Sequence, residues 1–151
     1  MLKPLDRDFL IVLHEVSRML RTRADQMARV HGVTRAQWII LARLEREPGI
    51  SQSAMASIVE VEPITVGRLV DRLEARGLVE RRADAHDRRI KRLHLTAQAA
   101  PILRDLGTVR DQLHDLVTAG IGARELKTMT DMLLQMKANL IAEARDAQDA
   151  S

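Results

Sequence analysis

The chain has 151 residues, 46% of them hydrophobic, which suits one domain with a real core and is too short for two independent ones. The absence of cysteine excludes disulfides, thiolate catalysis, cysteine metal sites and thiol redox sensing, and fits a reducing cytoplasm. The formal net charge of +3 conceals a local excess, because Met1 to Gly67 carries +1, Arg68 to Arg92 carries +4 and the remainder −2; such a block suits a polyanion whose counterions are released on binding.

In chain order, Phe9, Leu13, Val16, Leu20, Met27 and Val30 fall near one face of a long first helix, which His31-Gly32 should end. The short apolar run Phe9 to Leu13, flanked by Asp6, Arg7, Asp8, His14 and Glu15, does not fit a signal peptide, and no stretch approaches the roughly 20 apolar residues of a membrane span. A soluble intracellular protein without a membrane partner is the expectation. Thr34 followed by Gln37 is a capping box that opens a second helix through Trp38, Leu41 and Leu44, closed at Pro48-Gly49. Ser51 can cap a short third helix, Gln52 to about Ile58, with Met55, Ile58 and Val59 on its apolar side. Pro63, tolerated in a first turn where its missing N–H has no partner to lose, starts a fourth helix that ends at Gly77. Two short helices so closely joined make a helix-turn-helix candidate.

The fourth helix separates into two faces. Val66, Leu69, Val70 and Leu73 follow core spacing, so Thr65, Arg68 and Arg72 point the other way. An arginine fork can take O6 and N7 of a guanine together, which makes Arg68 an apt reader of base sequence. Gly67 is expected to permit close approach of backbone to DNA. An ordinary solvated helix with surface arginines would carry the same face. Leu78 to Ala83 and Ile90 to Leu95 are β-compatible runs around the turn formers Asp84 to Asp87, and four of the five residues from Arg88 to Arg92 are basic. This is a hairpin with a cationic tip, its arginines free for a minor groove or paired with Asp84 and Asp87.

Two heptad-like stripes follow: Ile102, Leu106, Val109, Leu113 and Leu116, then Leu126, Met129, Leu133, Met136 and Leu140 after the break at Gly120 to Gly122. They fit a helical hairpin packed within one chain or a seam with a second copy. Pro101 should kink or delay the first of these helices. No catalytic constellation is visible: His14, His31, His86, His94 and His114 are scattered and no phosphate-binding glycine loop occurs, so neither an enzyme, a metal site nor a cofactor is expected. The competing reading is a winged-helix module that binds another protein, which would show none of the steep salt dependence of duplex binding.

The run from Thr34 to Thr96, with SQSAMASIVEVEPITVGRLVDRLEARGLVERR and DRRIKRLHLT, resembles the MarR family of bacterial transcription regulators. AHDRRIKRLHLTAQAAP and TRAQWIIL are more similar to its SlyA-like branch. Two departures are Ala99, where many members have glycine, and Gly67, where many have a larger residue. The resemblance implies a mainly α winged helix-turn-helix with a small β-hairpin wing: residues 34–96 bind DNA, while 5–31 and 97–147 form dimerisation helices. It further implies that Thr65 and Arg68 lie near bases and Arg72 near the backbone, that Arg89 enters the minor groove, and that Arg88, Lys91 and Arg92 meet phosphates or intramolecular partners. Members bind pseudo-palindromic double-stranded operators as homodimers, commonly as repressors. The branch is associated with small aromatic carboxylates such as salicylate, for which Arg18 and Trp38 occupy matching positions, although an indole on an apolar helix face serves more often as core than as pocket wall.

Overall fold

Capping interactions written into the sequence set the helix boundaries. The computed structural model describes residues 7–59 and 61–149 and divides into two compact units, one up to Leu113 and the other from His114. In the first unit, α1 (Phe9–Val30) opens where the Asp8 carboxylate accepts the amides of Leu10 and Ile11 at 3.0 and 3.3 Å. It closes at His31, and Gly32 follows with φ at 76°, a backbone state that a side chain would disfavour. The expected boundaries of this helix therefore hold from Phe9 onward, while residues 5 and 6 lie outside the described residues.

Helix α2 (Arg35–Arg46) carries the complete capping box, with the Gln37 amide N–H donating to Thr34 Oγ1 and the Thr34 N–H donating to Gln37 Oε1. Helix α3 (Gln52–Val59) is capped by Ser51, whose hydroxyl accepts from the Ala54 amide, and α4 (Pro63–Ala75) begins on its proline. Strands β1 (Val79–Ala83) and β2 (Lys91–Leu95) form an antiparallel hairpin in the register Val79 opposite Leu95 to Ala83 opposite Lys91. Residues just before α3 add to its edge, the Gly49 amide donating to the Leu93 carbonyl and the Leu93 amide to Ile50. Leu93 is thereby fixed on the inner face, with no exposure at all.

The core of this unit lies between α2, α3, α4 and the hairpin: Ile40, Leu41, Leu44, Met55, Val66, Val70, Leu73 and Leu93. Helix α4 buries the face expected of it, with Leu69 half-buried at its margin. Two expected faces differ. On α3 the inward arc is Met55, Ala56 and Val59, and Ile58 is left exposed because the short helix packs along one narrow line. On α1 only Ala24 and Ala28 are buried, whereas Phe9, Val16, Leu20 and Val30 are exposed. The fully buried positions of α1 are thus its small side chains, with Ile11, Leu13 and Met27 half-buried.

Helix α5 (Ala99–Thr118) begins three residues after Thr96, whose hydroxyl donates to the Gly77 carbonyl. Pro101 sits in its first turn, so it helps to set the start and leaves the interior ladder unbroken. The inner stripe of α5 is Ala99, Leu106, Val109 and Leu113. The second unit holds the last turn of α5, a break at Gly120 and α6 (Ala123–Asp149). An i,i+4 pair joins Lys127 to Asp131 at 2.7 Å. None of residues 123–148 is buried; Leu126 and Met136 are half-buried, and Met129, Met132, Leu133, Leu134, Leu140 and Ile141 are exposed. Among the described residues no helix is long and apolar enough to cross a membrane.

Candidate nucleic-acid interface

The outer face of α4 is a cationic surface without internal neutralisation. Thr65, Arg68 and Arg72 are all exposed, opposite the buried Val66, Val70 and Leu73. Arg88 and Lys91 are exposed on the hairpin. Among the described residues, the side chains of Arg68, Arg72, Arg88 and Lys91 have no hydrogen-bond or ion-pair partner, so their charge is available to a polyanion.

The hairpin tip is ordered from within by one carboxylate. Asp84 accepts the His86 amide at 2.8 Å, the Asp87 amide at 3.1 Å and the Arg92 Nε–H. These donors, led by the His86 amide and then the Arg92 guanidinium, hold its pKa down from 3.8 to about 2. Arg92 also donates through Nη1 to the Gly49 carbonyl at 3.0 Å, which ties the wing to the segment before α3. Arg92 is thus an intramolecular strut, one of the two roles open to it. Arg89 differs: its amide donates to Asp87 Oδ1 at 3.0 Å and its Nε pairs with the same atom at 3.2 Å, yet the side chain is 91% exposed. Both expected Asp–Arg pairs form, and they do different things. One fixes the loop, while the other sits in water where exchange for a new partner costs little.

Arg81 links the hairpin to the helix-turn-helix, a role that its place in the basic run does not announce. It lies on β1 opposite Leu93 and is only 20% exposed. Its Nε–H donates to Gln52 Oε1 on α3 at 2.9 Å and its Nη2 to the Gly67 carbonyl on α4 at 3.2 Å. The same guanidinium pairs with Asp71 at 2.7 Å and Glu74 at 3.2 Å. One side chain therefore sets α3, α4 and β1 against each other. Strand alternation offered the signal, since a period of two puts Arg81 on the inward side with Val79, where a charge needs partners. The Gly67 carbonyl takes part in this contact, and a Cβ there would lie 3.4 Å from the Gln52 side chain, so the glycine sits close to α3. At the other end of α4, Arg76 Nη1 donates to the Gly32 carbonyl.

A second feature lies between α1, α2 and α5 within the first unit, a cavity of about 360 Å³. Trp38, Leu20 and Ile39 supply apolar wall, and Arg21, Arg35 and Arg110 also line it, although the lining surface is mostly apolar; Arg21 donates to Ser17 and Arg110 pairs with Asp111. Trp38 is half-buried, lining the cavity and packing against the core at once, whereas Arg18 is not among the lining residues. Arg18 stands on the exposed side of α1 one turn earlier, and the helical rotation brings Arg21 to the cavity instead. Asp25, near this wall, accepts the Arg35 amide at 3.0 Å and pairs with Arg29 at 2.6 Å. The Arg35 amide first and Arg29 second hold its carboxyl below the usual range.

Comparison with known proteins places this geometry. A model of the MarR family matches residues 31–90, which span the turn after α1 through the hairpin tip. Among solved structures, the transcriptional regulator PA3341 is 34% identical, with 89% of this chain and 99% of that chain covered at a TM-score of 0.80. MarR itself is 25% identical over 97% of this chain and 99% of that one, with a TM-score of 0.82. The transcriptional regulator SlyA shows the same identity over 90% and 96%, with a TM-score of 0.79, so overall similarity does not favour either branch. These relatives are transcription regulators and not enzymes, and their fold is the winged helix described above. The chain belongs to the MarR family of winged-helix transcription regulators.

Proposed function

We propose that the chain binds a pseudo-palindromic double-stranded operator as a homodimer, represses transcription there, and is released by a small aromatic carboxylate. The observation that carries this reading is the set of exposed cations on α4 and the hairpin, without partners among the described residues, on a frame held by Arg81 and Asp84. A MarR variant from E. coli has been solved with operator DNA on the same fold, at 24% identity. In this reading residues 34–96 meet the DNA, with Arg68 and Thr65 near base edges, Arg72, Arg88 and Lys91 on phosphates, and Arg89 in the minor groove. Residues 5–31 and 97–147 join two copies. Exposed apolar side chains on α1 and α6 favour that pairing, because each would remain in water in an isolated chain. Two-fold symmetry then calls for half-site centres about 34 Å apart.

The effector would occupy the cavity beside Trp38, its ring against the indole and its carboxylate on Arg21, Arg35 or Arg110 in place of the expected Arg18. It releases DNA only if it binds more tightly to a spacing of recognition helices that misfits the grooves. Footprinting the DNA that flanks the gene, with and without salicylate, tests the whole reading. A protected, two-fold symmetric site that fades with salicylate is expected; absence of any protected site at low salt overturns it.

A further inference from the structure

Ile64 is the second residue of α4 and is 66% exposed, far more than the other exposed isoleucines of the winged module, Ile58 at 37% and Ile90 at 39%. At 100° per residue, Ile64, Arg68, Thr65 and Arg72 occupy one arc of about 100°, opposite the arc that enters the core. A branched hydrocarbon therefore stands in water among cations on the face assigned to DNA. Helix formation does not account for it, since a β-branched residue is a weaker helix former than many polar ones. Nor does the fold desolvate it, for the apolar side of α4 is complete without it.

The chemistry of the surroundings restricts what could cover it. Thr65, Arg68 and Arg72 share its arc, while the exposed Glu62 precedes the helix and the exposed Asp71 alongside is already paired with Arg81, so the unpaired charge on the arc itself is cationic and suits an anionic partner surface that offers an apolar spot at the tip of the helix. The major groove of DNA meets both conditions, because the 5-methyl of thymine is the apolar group on its base edges. We propose that Ile64 packs against one thymine methyl in each half-site and is a specificity-determining residue. This rests on the reading of α4 as the recognition helix, whose N-terminal residues are those closest to base edges. Ile64 and Arg68 are one turn apart, about 6 Å along the axis, so the thymine lies within about two base pairs of the guanine taken by Arg68.

The test uses the full chain and a duplex that the wild type has selected from a random pool. Each thymine is replaced in turn by deoxyuridine, which removes the methyl and keeps the pairing. The wild type should lose about threefold to tenfold in affinity at one thymine per half-site. Ile64→Ala should show a similar loss on the unmodified duplex and no further loss with deoxyuridine at that position. Ile64→Val should fall between them, and it serves as the test if the alanine variant melts early by circular dichroism. Arg68→Ala should keep the deoxyuridine penalty. A wild type that binds in an Arg68-dependent way but ignores every thymine methyl overturns the Ile64 assignment alone, as does Ile64→Ala retaining the full penalty. Failure of the wild type to select any duplex overturns the proposed function and this assignment together.

Discussion

Asp84 and Asp87 stand three residues apart and serve opposite ends. Asp84 gathers two backbone amides and the Arg92 guanidinium, and its carboxyl is held at about 2 against an ordinary 3.8. A depressed carboxylate pKa stabilises the fold above the unfolded value, and that contribution is lost as pH falls through the folded one. Wing order should therefore be intact at pH 5 and decline between about pH 4 and 2, read by amide exchange at residues 84–92. Asp84→Asn should remove that pH dependence and lower duplex affinity at neutral pH. Asp87 pairs with Arg89 in water, where such a pair contributes less than about 1 kcal/mol, so Arg89 can exchange it for DNA. Arg89→Ala should weaken specific and scrambled duplexes alike, whereas Arg68→Ala should cost about 1–3 kcal/mol on the specific duplex and blur base preference. Titration of both variants against both duplexes separates the two roles. Trp38 is the single tryptophan, so its fluorescence reports directly on the cavity. Salicylate should quench it, and Arg110→Ala should weaken that response.

At the scale of elements, the joint between α4 and β1 depends on Arg81. Its carboxylate partners are themselves exposed, at 65% for Asp71 and 43% for Glu74, so water can take over when the guanidinium is removed. Arg81→Met should therefore cost about 1–3 kcal/mol in urea unfolding rather than abolish the fold. Arg81→Lys should recover little, because one ammonium cannot span Gln52, Gly67 and two carboxylates at once. What the sequence made legible here is what is local: the Thr34–Gln37 box, the proline start of α4, the glycine stops at Gly32 and Gly77, and the turn at the hairpin tip. Each depends on residues within four positions of one another. Less legible was anything decided by a distant partner. Charge counting grouped Arg81 with surface cations, although it is an internal tie, and left Arg92 open between phosphate and an intramolecular partner; periodicity could not tell which arc of α1 or α3 meets a neighbour. A cavity wall likewise depends on the rotation of α1 against α2 and α5 and not on position along the chain, and the one beside Trp38 is lined by Arg21 where the resemblance pointed to Arg18.

For the whole molecule, the proposed dimer doubles every contact with DNA. Arg72, Arg88 and Lys91 from each copy give about six phosphate contacts, so the logarithm of affinity should fall with the logarithm of salt at a slope of about −5. Replacing Lys91 with alanine should reduce that slope by about 2, one phosphate from each copy, without changing the preferred sequence. Leu133→Asp together with Leu140→Asp should yield a monomer by analytical ultracentrifugation and abolish two-fold protection of the operator. The unburied length of α6 carries one more consequence. A helix that finds its hydrophobic cover only in a second copy has a melting point that moves with how much protein is in the tube. The winged portion has its own packed interior, so serial thinning of a sample should unravel the terminal helix first and leave an ordered but solitary reader. If the proposed dimer forms through this helix, scarcity becomes a stress in its own right for this end of the chain.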